Sequence, residues 1–489
     1  MEVYSSEGLS GSPELKNLAG LLEDWKRQGP RKGLEFADFE QQVRLAVMAL
    51  ERRTIREGLQ ALDVAVDEIK VADEVLCRAY GKPFEAAYVC LAGEIRVSRH
   101  LYRRADGMGK ALCPLELRAG IVESSWTPQA AERICQTVAV MTPYEAEVVI
   151  AGFGGMKPSR SSLDRIPEQV SARWEARREE FERGVRQQET VPQEVETVAV
   201  SLDGVMAPLR EEKAPERPGG KKRRRVAYHE ASCGTVSLHD AEGARLETIF
   251  CGRMPESKKP TLQRQLEAET ADILVTMGVP RLAFVADGAA ENWRIADEIT
   301  ASLKDAGHLG NDTPVFRIVD FWHASQHLKD ALDAAYAGHG PPTAARAEHE
   351  RLKVWLRDED GGVDSVLREL KRLRRGCCGE CRKKLTSEIG YFEKRREQMD
   401  YARFQDLNLP IGSGVVEAAC KTLVTQRLKR SGMSWSREGG QAVLTLRALL
   451  LSARWCAAWK LISGSYCGEV YGIRTKGHLT CIEPLEEAA

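Results

Sequence analysis

Three carboxylates in this 489-residue chain stand where acid chemistry could use them. Asp203 closes the apolar run Thr197-Val-Ala-Val-Ser-Leu-Asp-Gly204, Asp287 closes Leu282-Ala-Phe-Val-Ala-Asp-Gly288, and Glu417 follows the turn Gly412-Ser-Gly414 into a basic stretch. Taken singly each has a plain explanation, because Asp-Gly is a turn pair and an acid in a first helical turn complements the helix dipole. Taken together, two strand-end acids and a later helix-borne acid are what a pair of divalent cations needs. Mg²⁺ or Mn²⁺ takes hard oxygen ligands and keeps open positions for water and phosphate oxygens.

The elements that must position these acids are readable from periodicity. Thr197–Val205 reads as a strand, and 225–238 and 245–251 as two antiparallel partners joined through the turn cluster His239–Gly243. Pro260–Met277 has helical spacing, Arg281–Ala286 is an apolar run short enough for a buried strand, a helix starts near Ala290, and Pro314–Val319 is a further strand. The order β-β-β-α-β-α-β predicts an RNase H-like mixed sheet flanked by helices. Trp322 to Phe404 reads as a helical insertion, and Ala442–Trp459 as one apolar helix that packs under the sheet.

Upstream, residues 13–80 show helical spacing and predict two or three amphipathic helices for packing or dimerisation, and 87–102 switches to a two-residue period with Gly93 at a hairpin bend. Thr127-Pro128 and the capping box Thr142-Pro-Tyr-Glu145 start two helices, and a third begins near Ser159 after the break at Gly152–Gly155. Residues 127–174 therefore predict a helix-turn-helix with Arg160 and Arg165 facing a DNA groove. The fold class expected is α+β multidomain. Its parts would be a helical region over 1–84, a small β-hairpin segment over 85–125, a helix-turn-helix-like region and linker over 126–193, the RNase H-like domain in two parts over 194–322 and 409–489, and the helical basic insertion over 323–408.

The 71 basic and 72 acidic residues nearly cancel, so a nucleic-acid partner can show only in how charge is distributed. Lys371, Arg372, Arg374 and Arg375, then Lys383 and Lys384, then Lys421, Arg427, Lys429 and Arg430, make basic clusters that suit a phosphate-backbone track. Lys421 stands four residues after Glu417 and could equally pair with it. The run Arg217–Arg225 reads as a loop. Thirteen scattered cysteines and an acidic Ser/Gly-containing start predict an unexported, cytoplasmic chain with reduced thiols. The apolar runs, such as Ala442–Leu451, are too short to span a membrane. Cys378-x-x-Cys381 has no second Cys or His pair nearby, so zinc is not expected.

Leu202-Asp-Gly-Val-Met206, Val285-Ala-Asp-Gly-Ala-Ala-Glu-Asn-Trp293, Val319-Asp-Phe-Trp-His-Ala-Ser-Gln-His-Leu328 and Ile411-Gly-Ser-Gly-Val-Val-Glu417 resemble the motifs of prokaryotic insertion-sequence DDE transposases, most of all the ISKra-type group. The resemblance runs from about Glu194 to Ile473 and implies a DNA transposase with a nucleoid-associated location. It places the catalytic, metal-binding acids on Asp203, Asp287 and Glu417, and two Mg²⁺ (or Mn²⁺) ions in one site. Asp320-Phe-Trp-His323 resembles a C/D-x-x-H element of such families and marks Asp320 and His323 as supporting residues. The implied partners are double-stranded DNA, at transposon ends and target, and further copies of the chain in a synaptic dimer or larger homo-oligomer. The alternatives are an RNase H-like nuclease without strand transfer and a transposase-derived DNA-binding protein.

Overall fold

Val198, Val200 and Leu202 alternate with Ala199 and Ser201 along one strand, all of them buried, so this strand must be covered on both faces. The computed structural model describes residues 12–28, 33–213, 223–278, 281–337, 342–412, 414–473 and 479–480. It places that strand, β1 (Thr197–Lys213), at the centre of a five-stranded sheet. The other strands are β2 (Arg223–His239), β3 (Arg245–Arg253), β4 (Arg281–Ala286) and β5 (Val315–Val319), in the order β5-β4-β1-β2-β3. β1 to β3 are antiparallel, whereas β4 and β5 run parallel to β1. β1 and β2 are longer than expected, because beyond Asp203 they go on pairing with each other as far as Lys213↔Arg223.

Alternation sends the two sets of side chains to two cores. Val198, Val200, Leu202 and Phe284 pack against Leu262 and Leu266 of α1 (Pro260–Met277) and Ile295 and Ile299 of α2 (Ala290–Asp305). On the other face Ala199, Ala283, Val285 and Ile318 meet Phe321, Leu328 and Leu332 of α3 (Phe321–Tyr336). The same cluster takes in α4 (Pro342–Asp358), α5 (Gly362–Arg375) and α6 (Gly379–Lys394) through Leu352, Val366, Leu370, Ile389 and Phe392. Burying each such side chain contributes roughly 1.5–3 kcal/mol. The stretch expected as a separate insertion thus shares its core with the sheet. α7 (Gly414–Ala419) runs into a π-helical turn over Cys420–Thr425, and with α8 (Arg437–Leu451) it packs on the extended part of β1 and β2 through Val416, Leu423, Val424 and Leu444.

The chain divides into two compact units, 182–455 and 1–181 with 456–489, so it is a mixed α+β protein with several sheets. In the second of these, the helices Pro13–Gln28 and Gly33–Gln60 precede strands Glu68–Val71 and Glu74–Arg78, where a continuing helix was expected. The reason is that Glu68–Val71 pairs with Val470–Ile473, a partner about 400 residues away, so the C-terminal segment belongs here and not with the sheet of β1. The hairpin is Phe84–Cys90 with Gly93–Arg99. The helices Pro128–Val140, Pro143–Phe153 and Arg160–Ala176 follow, with the capping box of Thr142 and Glu145 formed.

The single helix expected over Ala442–Trp459 is two, α8 and Trp455–Gly464. Ala453 takes a left-handed conformation (φ 57°) and turns Arg454 inward. Arg217–Lys222 of the basic run and Ser413 of the glycine turn lie outside the described residues, while Arg223–Arg225 belong to β2. Among the described residues no helix is long and apolar enough to cross a membrane.

Candidate active site

The parallel registers decide where the acids come out. Leu202 pairs with Ala286 and Ala286 with Val319, so Asp203, Asp287 and Asp320 are the next residues on three adjacent strands. Neighbouring strands lie about 4.8 Å apart, which brings the three acids to one sheet end, the C-terminal ends of parallel strands where open α/β sheets bind their ligands. The Asp320 N–H donates to Ala286 O at 2.8 Å and closes the group on the backbone side.

Each carboxylate then meets a different environment. Asp203 Oδ1 accepts from the Gly204 N–H at 2.7 Å, and Oδ2 accepts from the Cys420 thiol at 3.4 Å. Burial pushes the Asp203 carboxyl above its ordinary range, and the neighbouring Asp287 charge adds to the rise. Asp287 Oδ1 accepts from the Ala289 N–H at 2.9 Å and from Asn292 Nδ2 at 3.0 Å, a turn that ties the carboxylate to its own loop. Asp320 is fully buried and caps α3 through the Trp322 N–H at 2.8 Å. Its second oxygen holds His323 Nδ1 at 2.8 Å, which raises the His323 pKa, with Asp203 and Asp287 contributing further attraction.

Among the described residues neither Asp203 nor Asp287 forms an ion pair with a Lys or Arg. Two half-buried carboxylates side by side with no Lys or Arg to pair with are a donor set that suits a hard divalent cation. The set is not assembled into three, since among the described residues no group of three or more His, Cys, Asp or Glu stands ready to hold a metal ion. Asp320 is committed to His323 and to its helix cap, and Glu417 is exposed on α7. Cys420 lies three residues after Glu417, about one helical turn of ~5.4 Å, so its contact with Asp203 brings the Glu417 helix to the same sheet end. The π-helical turn that starts at Cys420 is the kind of irregularity that helices concentrate at functional sites.

A Cβ on Gly412 would lie 3.2 Å from Trp322 Nε1 and 3.9 Å from an Asp320 oxygen, whereas one on Gly414 would meet nothing within 4 Å. No ion pair joins Glu417 to Lys421 among the described residues.

The basic residues divide. Arg427, expected at a DNA phosphate, is instead 1% exposed with its guanidinium 5.0 Å from the Trp435 ring centroid, because the packing of its helix against the sheet turns it inward, so it presents no charge to DNA. Several others are engaged by acids, namely Arg160 with Glu147 at 2.6 Å, Lys371 with Glu393 at 2.6 Å, Arg372 with Glu369 at 2.9 Å, Lys383 with Glu380 at 2.7 Å and Lys384 with Glu388 at 2.6 Å. Arg374 is half-buried, and Arg165, Arg375, Lys421, Lys429 and Arg430 are exposed. Cys377 and Cys381 are joined in a disulfide, against the expectation of reduced thiols throughout, and Cys378 is exposed. The Cys420 contact was missed because a cysteine within an apolar helical face reads as core; its one sequence signal is the three-residue step from Glu417.

No family model and no curated protein matches the chain. Among solved structures it is similar to the Drosophila P element transposase strand transfer complex, with a TM-score of 0.34 and 10% identity over 70% of this chain and 93% of that one.

Proposed function

We propose that the chain is a DDE transposase of the prokaryotic insertion-sequence kind, closest to the ISKra-type group, built on an RNase H-like domain. It would bind transposon-end double-stranded DNA, cut its backbone and join the freed 3′-hydroxyl to target DNA. The observation that carries this reading is the emergence of Asp203 and Asp287 side by side from adjacent parallel strands, without a Lys or Arg partner among the described residues, next to the helix that bears Glu417. Mg²⁺ or Mn²⁺, when bound, supplies Lewis acidity at the scissile phosphate and an activated water.

In this reading Asp203, from within β1, and Asp287, just past the end of β4, would hold the cations, and Glu417 would complete the set from α7. His323, held by Asp320, presents a nitrogen to the same sheet end. Lys421, Lys429, Arg430 and Arg375 are exposed and suit phosphates of the bound duplex. Cutting breaks a P–O3′ bond with water as nucleophile, and joining forms a new P–O bond as the 3′-hydroxyl displaces a target 3′-oxygen.

The test uses duplex DNA from the ends that flank the gene, with Mg²⁺. Asp287→Ala and Glu417→Ala are each expected to lower strand cleavage by at least about 10³-fold, as removal of a group from a catalytic unit does, while DNA affinity stays within about twofold. Full cleavage by either variant removes that residue from the site. Cleavage without any joined product would favour the nuclease reading, and tight binding without cleavage the DNA-binding one.

A further inference from the structure

The Asp287 loop is gripped from outside the sheet. The Tyr391 hydroxyl, on α6, donates to Asp287 O at 3.2 Å, and Arg395, just past that helix, donates to Gly288 O from Nε at 3.1 Å and from Nη2 at 2.6 Å. Gly288 is left-handed (φ +89°), and a Cβ there would come within 2.6 Å of Arg395 Nε, so the guanidinium sits where only glycine leaves room. The Arg395 guanidinium also lies 4.3 Å from the Tyr391 ring centroid.

Tyr391 is itself braced. The His327 ring stacks on it at 3.7 Å and 19°, and His327 Nδ1 bonds to Glu388 at 2.7 Å. Glu388 is 4% exposed and is reached from the surface by Lys384 at 2.6 Å. Because Asp287 Oδ1 is bonded to the Ala289 N–H and to Asn292, the direction of the carboxylate follows the backbone of residues 287–289, and that backbone is what Tyr391 and Arg395 hold.

We propose that Tyr391 and Arg395 are positioning residues that preset the Asp287 carboxylate, so that the helical insertion serves the active site directly as well as any DNA surface. This rests on the reading of Asp287 as a cation-binding acid. Holding an acid through its supporting shell typically changes metal affinity by about 10–100-fold.

The test is made on the full chain with Tyr391→Phe, which removes only the hydroxyl, and Arg395→Gln. Hydrogen exchange of the amides of residues 287–292 is measured without metal, Mn²⁺ affinity by titration, and the Mg²⁺ concentration for half-maximal DNA cleavage alongside DNA affinity. Both variants are expected to speed exchange in that loop about tenfold. They should raise the Mn²⁺ and Mg²⁺ requirements by about tenfold or more, with DNA affinity unchanged. Unchanged exchange overturns the proposal, and so does faster exchange with unchanged cation requirements, since the hold would then not reach the carboxylate. If the wild-type chain shows no cleavage, the proposed function fails by itself, and exchange with Mn²⁺ affinity still decides whether Tyr391 and Arg395 position Asp287.

Discussion

Asp203→Asn is expected to abolish strand cleavage and, at the same time, to make the metal-free protein more stable at neutral pH. The substitution keeps the shape of the side chain and an oxygen for the Gly204 N–H, and it removes a charge that is half-buried beside Asp287 and, among the described residues, has no Lys or Arg partner, His323 offsetting only part of the cost of its burial. The sign follows from the direction of the shift. The folded-state pKa of Asp203 lies above the unfolded value, so ionising it costs folding free energy. Wild-type stability is therefore lost as pH rises from the unfolded value of about 3.9 through the folded one. The advantage of the amide should vanish below the unfolded-state value and grow as pH rises through the folded-state one.

A gain on the order of 1 kcal/mol is typical when a functional group held at such a cost is neutralised, and it corresponds to about 2–4 °C in Tm for units of this size. Thermal melts at pH 7 with chelator, repeated with Mg²⁺, check both halves. The cation should raise the wild-type Tm, because a ligand that binds only the folded state stabilises it, and should leave the variant unmoved. If the Asp203→Asn protein is instead less stable and still cleaves DNA, Asp203 is an ordinary turn residue.

Arg454→Met is expected to cost about 3–5 kcal/mol, the usual penalty for stripping one partner from a buried charge cluster. Arg454 is 9% exposed and donates to both oxygens of Glu189, at 2.6 Å each, and to Glu269 Oε2 at 2.8 Å, while Arg186 meets Glu269 Oε1 at 3.1 Å. Burial pulls the guanidinium down, but Glu269 and Glu189 outweigh it and hold its pKa above the ordinary value. Burial likewise pushes the Glu189 carboxyl up, with Arg454 opposing.

Without the guanidinium, two carboxylates face each other in a poorly solvated space. Adding Glu189→Gln to Arg454→Met, which leaves Glu269 paired with Arg186, should therefore recover a large part of the loss. Denaturant unfolding followed by tryptophan fluorescence reads these differences. A cost under about 1 kcal/mol for Arg454→Met would mean that the cluster is effectively solvated.

Much of the site was legible because its signals are local. A run of apolar residues that ends in Asp-Gly marks a strand end at Asp287, and Thr142-Pro-Tyr-Glu145 writes its own capping box, whereas the same Asp-Gly signal misleads at Asp203, where β1 goes on pairing with β2 as far as Lys213. Arg427 was not legible, because a charged residue in a basic run reads as solvated until the packing that turns it inward is known. The strand Glu68–Val71 was hidden for a related reason: four residues beside helical neighbours carry little periodicity, and their pairing with Val470–Ile473 is made across nearly the whole chain.

By itself the sequence determined the strands and helices of the sheet around β1 and their order, and the three acids with the glycine turn before Glu417, since propensity, capping and alternation act over a few residues. Only the tertiary structure decided that Leu202, Ala286 and Val319 share one register, which sets Asp203, Asp287 and Asp320 shoulder to shoulder, and that the Glu417 helix reaches Asp203 through Cys420. It also decided that the insertion closes on the Asp287 loop through Tyr391 and Arg395. These are contacts between residues scores to hundreds of positions apart, and their geometry is set by which apolar faces bury one another and not by any neighbour in the chain.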